Sequence, residues 1–147
     1  MERTIDTPIG PVCLTESNDA LVRLSWGAGR METSPLLLEA ERQLKEYFRG
    51  ERTEFDLPLA PKGTAFQQKV WDALRTIPYG DTRSYGEIAA QIGNPKACRA
   101  VGMANNRNPL PIFIPCHRCI GADGALVGYG GGLNIKIALL ELENNRE

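Results

Sequence analysis

Cys116 and His117 are neighbours in the tetrapeptide Pro115-Cys116-His117-Arg118, and His117 is the single histidine of the 147-residue chain. A thiol is the best soft nucleophile among the side chains, but it reacts as the thiolate, so its local pKa decides its use. An imidazole is the usual proton acceptor near neutral pH. The pair follows the apolar run Pro111-Ile112-Phe113-Ile114 and precedes a glycine-rich stretch ending in Tyr129-Gly130-Gly131-Gly132. This order predicts a buried strand followed by a tight turn that carries an activated sulfur. The same residues also fit an inert core cysteine beside a hydrogen-bonded structural histidine. The rest of the chain has to separate these two readings.

The elements around the pair fall into two parts. In the first, Thr7-Pro8-Ile9-Gly10-Pro11 is turn-like. Val12 to Thr15 and Ala20 to Trp26 then read as two strands of a hairpin, joined at Ser17-Asn18-Asp19. Leu36 to Phe48 has a helical pattern ending at Gly50, and Phe55-Asp56-Leu57 is a candidate further strand. Pro58, Pro61 and Gly63 mark a boundary. In the second part, Thr64 can cap a helix with Phe66, Val70, Trp71 and Leu74 on one face. Ser84 and Glu87 form a capping box for a short helix from Tyr85 to Ile92. Gly93-Asn94-Pro95 breaks it, and Lys96 to Asn105 is the next helix, giving a helix-turn-helix shape. Leu133 to Glu143 is the last helix. The candidate exposed positions of the second helix of the pair are small, at Cys98, Ala100, Gly102 and Ala104, with Arg99 protruding. That surface suits either a close approach to a minor groove or tight packing inside the domain.

Composition bounds the function classes. The chain is long enough for one domain or two small ones, and 42% hydrophobic residues support a core. No apolar run approaches the roughly 20 residues of a membrane span, and the amino terminus lacks a signal-peptide pattern. Four cysteines without regular spacing do not suggest a secreted disulfide framework, so a cytoplasmic location is expected. Charge is uneven. Residues 1–59 carry 7 Lys and Arg against 11 Asp and Glu, whereas residues 60–147 carry 10 against 7. The second part is therefore permissive for an anionic partner.

Five blocks of the second part carry a resemblance: 84–89 (SYGEIA), 94–102 (NPKACRAVG), 108–112 (NPLPI), 115–118 (PCHR) and 128–133 (GYGGGL). In this order they resemble the O6-alkylguanine-DNA alkyltransferases, densely from about Thr64 to Glu143. The first 60 residues are similar only loosely. The resemblance implies an α+β protein in two domains. Residues 1–60 would be a small support domain with an antiparallel sheet and helix, ribonuclease H-like. Residues 61–147 would be a mostly helical, winged helix-turn-helix-like domain that binds DNA and accepts the alkyl group. It further implies irreversible, single-turnover transfer from O6-alkylguanine in double-stranded DNA to Cys116, after the base is flipped through the minor groove. O4-alkylthymine would be a secondary substrate. No cofactor is implied, and the protein would be a monomer without membrane association.

The resemblance also assigns roles. His117 would take the thiol proton through a bridging water, with Glu143 as its partner. Tyr85 and the backbone N–H of Gly130 would donate to the base, and Gly131 would help the main chain approach it. Pro111, Tyr129 and Leu126 would line the pocket, Asn108 would brace the turns, and Arg118 would be structural. Arg99 would enter the duplex as a finger, on a helix whose Cys98, Ala100 and Gly102 lie against DNA. The chemistry requires a thiolate, which predicts a lowered thiol pKa. A shift of two units from ~8.5 is worth about 2.7 kcal/mol.

Competing readings are weaker. Cys116 and Cys119 match a Cys-x-x-Cys spacing, but a redox pair should open a helix near a βαβ start. Cys13, Cys98, Cys116 and Cys119 do not form the two pairs of a zinc site, so no metal is expected. The Cys116–Cys119 spacing suggests an off switch in which oxidation joins the two sulfurs. A lesion-binding protein without transfer would not need Cys116. A helix-turn-helix regulator would need base-reading side chains.

Overall fold

The computed structural model describes residues 1–122, 124, 129 and 132–144. The protein has an α+β fold. It opens with an antiparallel sheet of β1 (Glu2–Ile5), β2 (Val12–Ser17) and β3 (Ala20–Trp26), in the order β1-β2-β3. The hairpin turn places Asn18 and Asp19 at φ 52° and 62°, a region that these two residue types tolerate. β1 has no apolar alternation and escapes a sequence reading. Its ladder with β2, from Glu2 opposite Thr15 to Ile5 opposite Val12, creates it.

Phe55-Asp56-Leu57 is not a strand. The pairing occurs just beyond it, where Leu21 N–H donates to the Pro58 carbonyl at 2.9 Å and Ala60 N–H to the Leu21 carbonyl at 2.8 Å. Prolines at 58 and 61 lack N–H donors and hold the contact to a single bridge.

Helix α1 (Pro35–Phe48) starts where Ser34 Oγ accepts from Leu37 N–H, with Pro35 in the first turn. Its inward stripe is Leu37, Ala40, Leu44 and Tyr47, packed against the sheet. Helices α2 (Ala65–Leu74) and α3 (Tyr85–Gln91) begin with capping boxes, Thr64 with Gln67 and Ser84 with Glu87. Helix α4 (Cys98–Asn106) starts two residues later than the sequence suggests and has no side-chain cap. The three helices pack on one another.

Trp71 Nε1 donates to the Ala104 carbonyl at 2.9 Å, which locks α4 onto α2. Ala104 is therefore buried rather than on the outer face, while Cys98, Arg99 and Ala100 are exposed and Gly102 is half-buried. Two-residue strands β4 (Arg83–Ser84) and β5 (Cys119–Ile120) pair in parallel. This staple ties the start of α3 to the residues that follow Cys116. Helix α5 (Leu133–Asn144) closes the fold.

The run Pro111–Ile114 is not the expected strand. It is a buried turn, closed by Ile114 N–H to the Leu110 carbonyl at 2.9 Å. Ile112 within it has φ 75° and is 1% exposed. A β-branched residue in that region is strained, and surrounding contacts must hold it there.

Candidate active site

The turn that carries the sulfur is built by Asn108. Its Nδ2 donates to the Ile114 carbonyl at 2.9 Å, and its Oδ1 accepts from Leu110 N–H at 2.9 Å. One amide thus satisfies both sides of the loop and fixes where residue 115 emerges. Cys116–Arg118 then form one turn of 3-10 helix, which points the three side chains into the protein.

Cys116 is 3% exposed and lies in a cleft of about 480 Å³. Asn108, Pro111 and Tyr129 line it with Cys116, and strand β3 contributes Trp26. Tyr129 and Trp26 face each other with ring centroids 6.0 Å apart. Burial pushes the Cys116 thiol up to about 11, against the opposing effects of the Asn108 amide, the Lys136 ammonium and the Tyr129 hydroxyl. The expected lowering is thus reversed in the resting protein, because loss of hydration outweighs every neighbour that favours the thiolate.

His117 is fully buried. Its Nε2 is 2.6 Å from Glu143 Oε2, and its Nδ1 has no hydrogen-bond partner among the described residues. Burial holds the imidazole pKa below its usual value, although Glu143 pulls the other way. Glu143 itself accepts from Arg118 Nε at 2.9 Å, Arg118 Nη2 at 3.0 Å, Tyr47 Oη at 2.6 Å and Gly80 N–H at 3.3 Å. Burial alone would raise its carboxyl, but the His117 and Arg118 hydrogen bonds overcome this and hold it at about 2. The carboxylate is therefore ionised at neutral pH. Arg118 uses a third nitrogen on the Ile77 carbonyl at 2.8 Å and lies over the Tyr79 ring.

Helical geometry selects Glu143. Lys136, Leu139 and Glu143 share the inward stripe of α5, and Glu141 is exposed. Lys136 is buried and donates from Nζ to the Cys119 carbonyl at 2.7 Å. The same ammonium lies 6.0 Å from the Tyr85 ring centroid. Tyr85 is largely buried, and burial pushes its hydroxyl up to about 12. It is not among the described residues that line the cleft.

The structure thus brings together Cys116, Asn108, Pro111 and Tyr129 at the cleft, and His117, Arg118 and Glu143 behind it. Arg99, Cys98, Ala100 and Gly102 belong to a separate surface on α4. Gly130, Gly131 and Leu126 lie outside the described residues. Sequence reasoning missed Tyr47, Gly80 and Lys136. A charged residue seven positions before Glu143 on one helical stripe was a legible signal for Lys136. Tyr47 gave none, since an aromatic on an inward stripe reads as core.

Comparisons with known proteins agree over the whole chain. Residues 1–61 match the ribonuclease-like domain of 6-O-methylguanine DNA methyltransferase, and residues 65–145 match its DNA binding domain. A methylated-DNA–protein-cysteine methyltransferase of Methanosarcina acetivorans is 52% identical, with 95% of this chain and 96% of the relative covered. The constitutive enzyme of that name from Bacillus subtilis is 52% identical over 95% of this chain and 93% of its own. The crystal structure of the Mycobacterium tuberculosis O6-methylguanine methyltransferase is 53% identical with a TM-score of 0.91, covering 100% of this chain and 95% of that one. A Mycobacterium tuberculosis relative solved in complex with DNA is 55% identical with a TM-score of 0.89, covering 99% and 93%. On this sequence and structural agreement, the chain belongs to the 6-O-methylguanine DNA methyltransferase family.

Proposed function

We propose that this protein repairs DNA by moving the alkyl group of O6-alkylguanine onto Cys116, each molecule acting once. The observation that carries the reading is the sulfur of Cys116 at a cleft, followed in the chain by a buried imidazole whose Nε2 is tied to an ionised Glu143. An ionised acceptor at Nε2 places the hydrogen there and leaves the Nδ1 lone pair to receive a proton.

A thiol with a pKa of about 11 needs about 5 kcal/mol to ionise at pH 7. The proton is therefore moved within the site rather than lost to solvent. It passes from sulfur through a bridging water to Nδ1 of His117. Sulfur attacks the oxygen-bound carbon, the carbon–oxygen bond breaks, and its electron pair goes to the guanine. The imidazolium then returns the proton to the base. The products are guanine and a thioether at Cys116, which nothing in the site reverses. Tyr85 and the Gly130 N–H stabilise the developing charge on the base, as donors aimed at a forming anion do. Pro111 and Tyr129 wall the pocket, and Gly131 lets the main chain approach the base.

Helix α4 approaches the minor groove through Cys98, Ala100 and Gly102. Arg99 fills the space left by the flipped base, a step that costs a few kcal/mol and less at a poorly paired lesion. The DNA-binding and acceptor unit spans residues 61–147, supported by residues 1–60. O4-alkylthymine is a secondary substrate of the same chemistry. The protein works as a monomer in the cytoplasm.

Incubation with a duplex carrying one O6-methylguanine tests the reading by intact-protein mass. The expected outcome is gain of one methylene equivalent, mapped to Cys116 and absent in Cys116→Ala. Tight DNA binding with an unchanged mass would instead make the protein a lesion binder.

A further inference from the structure

We propose that Tyr47, from the first helix of the amino-terminal unit, is a positioning residue for the methyl-transfer site, holding Glu143 so that Glu143 can hold His117. The inference rests on the proposed function and extends it to a part of the chain assigned there only to support.

Tyr47 Oη lies 2.6 Å from Glu143 Oε2, across 96 positions of sequence, and Tyr47 is fully buried. That separation is in the range of a hydroxyl donating to an ionised carboxylate, the stronger class of hydrogen bond. The same Oε2 accepts from His117 Nε2 at 2.6 Å and from Arg118 Nη2 at 3.0 Å. Three donors converge on one oxygen, so its position is set from α1, from the turn at residues 116–118 and, through its own chain, from α5.

Packing alone does not require the hydroxyl. The ring of Tyr47 meets Phe48 and Phe55 at 5.3 Å and Tyr79 at 6.0 Å. A phenylalanine would keep all three contacts. What it would lose is the constraint on the carboxylate and part of the competition for its charge. Among the described residues, the charged groups that act on the His117 imidazole are Glu143 and Lys136 from α5 and Arg118 from its own turn. Tyr47 reaches it only through Glu143. Removing one donor from Oε2 concentrates the carboxylate's charge on Nε2, which favours the imidazolium.

Tyr47→Phe is the test. The expected result is a methyl-transfer rate lowered roughly tenfold at saturating DNA, the size expected for one hydrogen bond to a charged group, with DNA affinity unchanged. His117 is the single histidine, so its imidazole gives one set of NMR signals. Their titration midpoint should move upward in the variant. In the unaltered protein the same experiment should show a slowly exchanging hydroxyl proton on Tyr47, a readout independent of how well the variant folds. An unchanged rate with unchanged imidazole signals, or a freely exchanging Tyr47 hydroxyl, overturns the proposal. Absence of methyl transfer in the unaltered protein would instead overturn the proposed function, because the NMR readouts do not depend on it.

Discussion

Arg118 and Glu143 form a two-point ion pair inside the protein, with Nε 2.9 Å from Oε1 and Nη2 3.0 Å from Oε2. Arg118 is 7% exposed and Glu143 2%. The guanidinium offsets the carboxylate charge, so the site at rest holds a neutral imidazole without net charge from this pair. Protonating His117 creates a buried positive charge. That state suits an acceptor that takes a proton briefly and hands it on.

Replacing Arg118 should be severe. Arg118→Met leaves a buried carboxylate without its cation, a change that costs about 3–5 kcal/mol. Arg118→Lys should not rescue it, because an ammonium cannot span both carboxylate oxygens and the Ile77 carbonyl in one plane. Urea denaturation checks this. A lysine variant as stable as the parent would contradict the account.

Stability should fall as the solution becomes acidic. The Glu143 carboxyl is depressed from 4.5 to about 2. A depressed carboxyl contributes stability that is full above its unfolded value and is lost as pH falls through the folded value. The contribution is on the order of 3 kcal/mol. His117 acts in the same direction. Its folded pKa lies below 6.5, so the unfolded chain takes up the proton first as pH falls. Urea midpoints should decline steadily from about pH 6.5 downward. A flat profile to about pH 3 would show that the carboxylate is not held as described.

Among the four cysteines, Cys98 should label first with iodoacetamide at neutral pH, because it alone is exposed. Burial pushes Cys13 and Cys116 up to about 11 and Cys119 up to about 12. Peptide mapping after partial labelling gives the order. All four are free thiols. With Cys116 and Cys119 both buried and protonated, mild peroxide should leave them unjoined; recovery of a joined pair would instead support the oxidative off switch.

Asn108→Ala removes one donor and one acceptor from the loop beneath the sulfur. Leu110 N–H is then left unpaired, and the Ile114 carbonyl keeps only the Cys116 N–H, which should cost about 1–3 kcal/mol. Methyl transfer should fall further than stability explains, since the strained Ile112 turn is then free to relax. Asn108→Asp should not restore it, because a carboxylate cannot donate to the Ile114 carbonyl. Comparing transfer rates with unfolding midpoints in both variants decides this.

Arg99→Ala should separate DNA handling from chemistry. Transfer from a duplex should drop by about tenfold or more, while transfer from the free O6-methylguanine base should be unaffected. Equal losses on both substrates would place Arg99 in the fold rather than at the DNA.

Much of this molecule is written locally in its sequence. The capping boxes at Thr64 and Ser84 lie within four consecutive residues, so α2 and α3 can be read with their starts. The hairpin at Asn18-Asp19 is equally local, and the Cys116-His117 pair is adjacent in the chain. Elements that owe their form to distant partners were not legible. β1 exists through its ladder with β2 on one side and its bridge to Met31 on the other, and the apolar run before Cys116 becomes a turn because Asn108 folds it back.

The electrostatics of the site belong wholly to the tertiary structure. No spacing in the chain shows that Tyr47, Gly80, His117 and Arg118 converge on Glu143, since together with it they come from four separate segments. Nor could it show that the sulfur would be held as the thiol. Side-chain types and short-range order decide which groups are present. Burial decides their charge, because hydration is lost only when remote parts of the chain close over them.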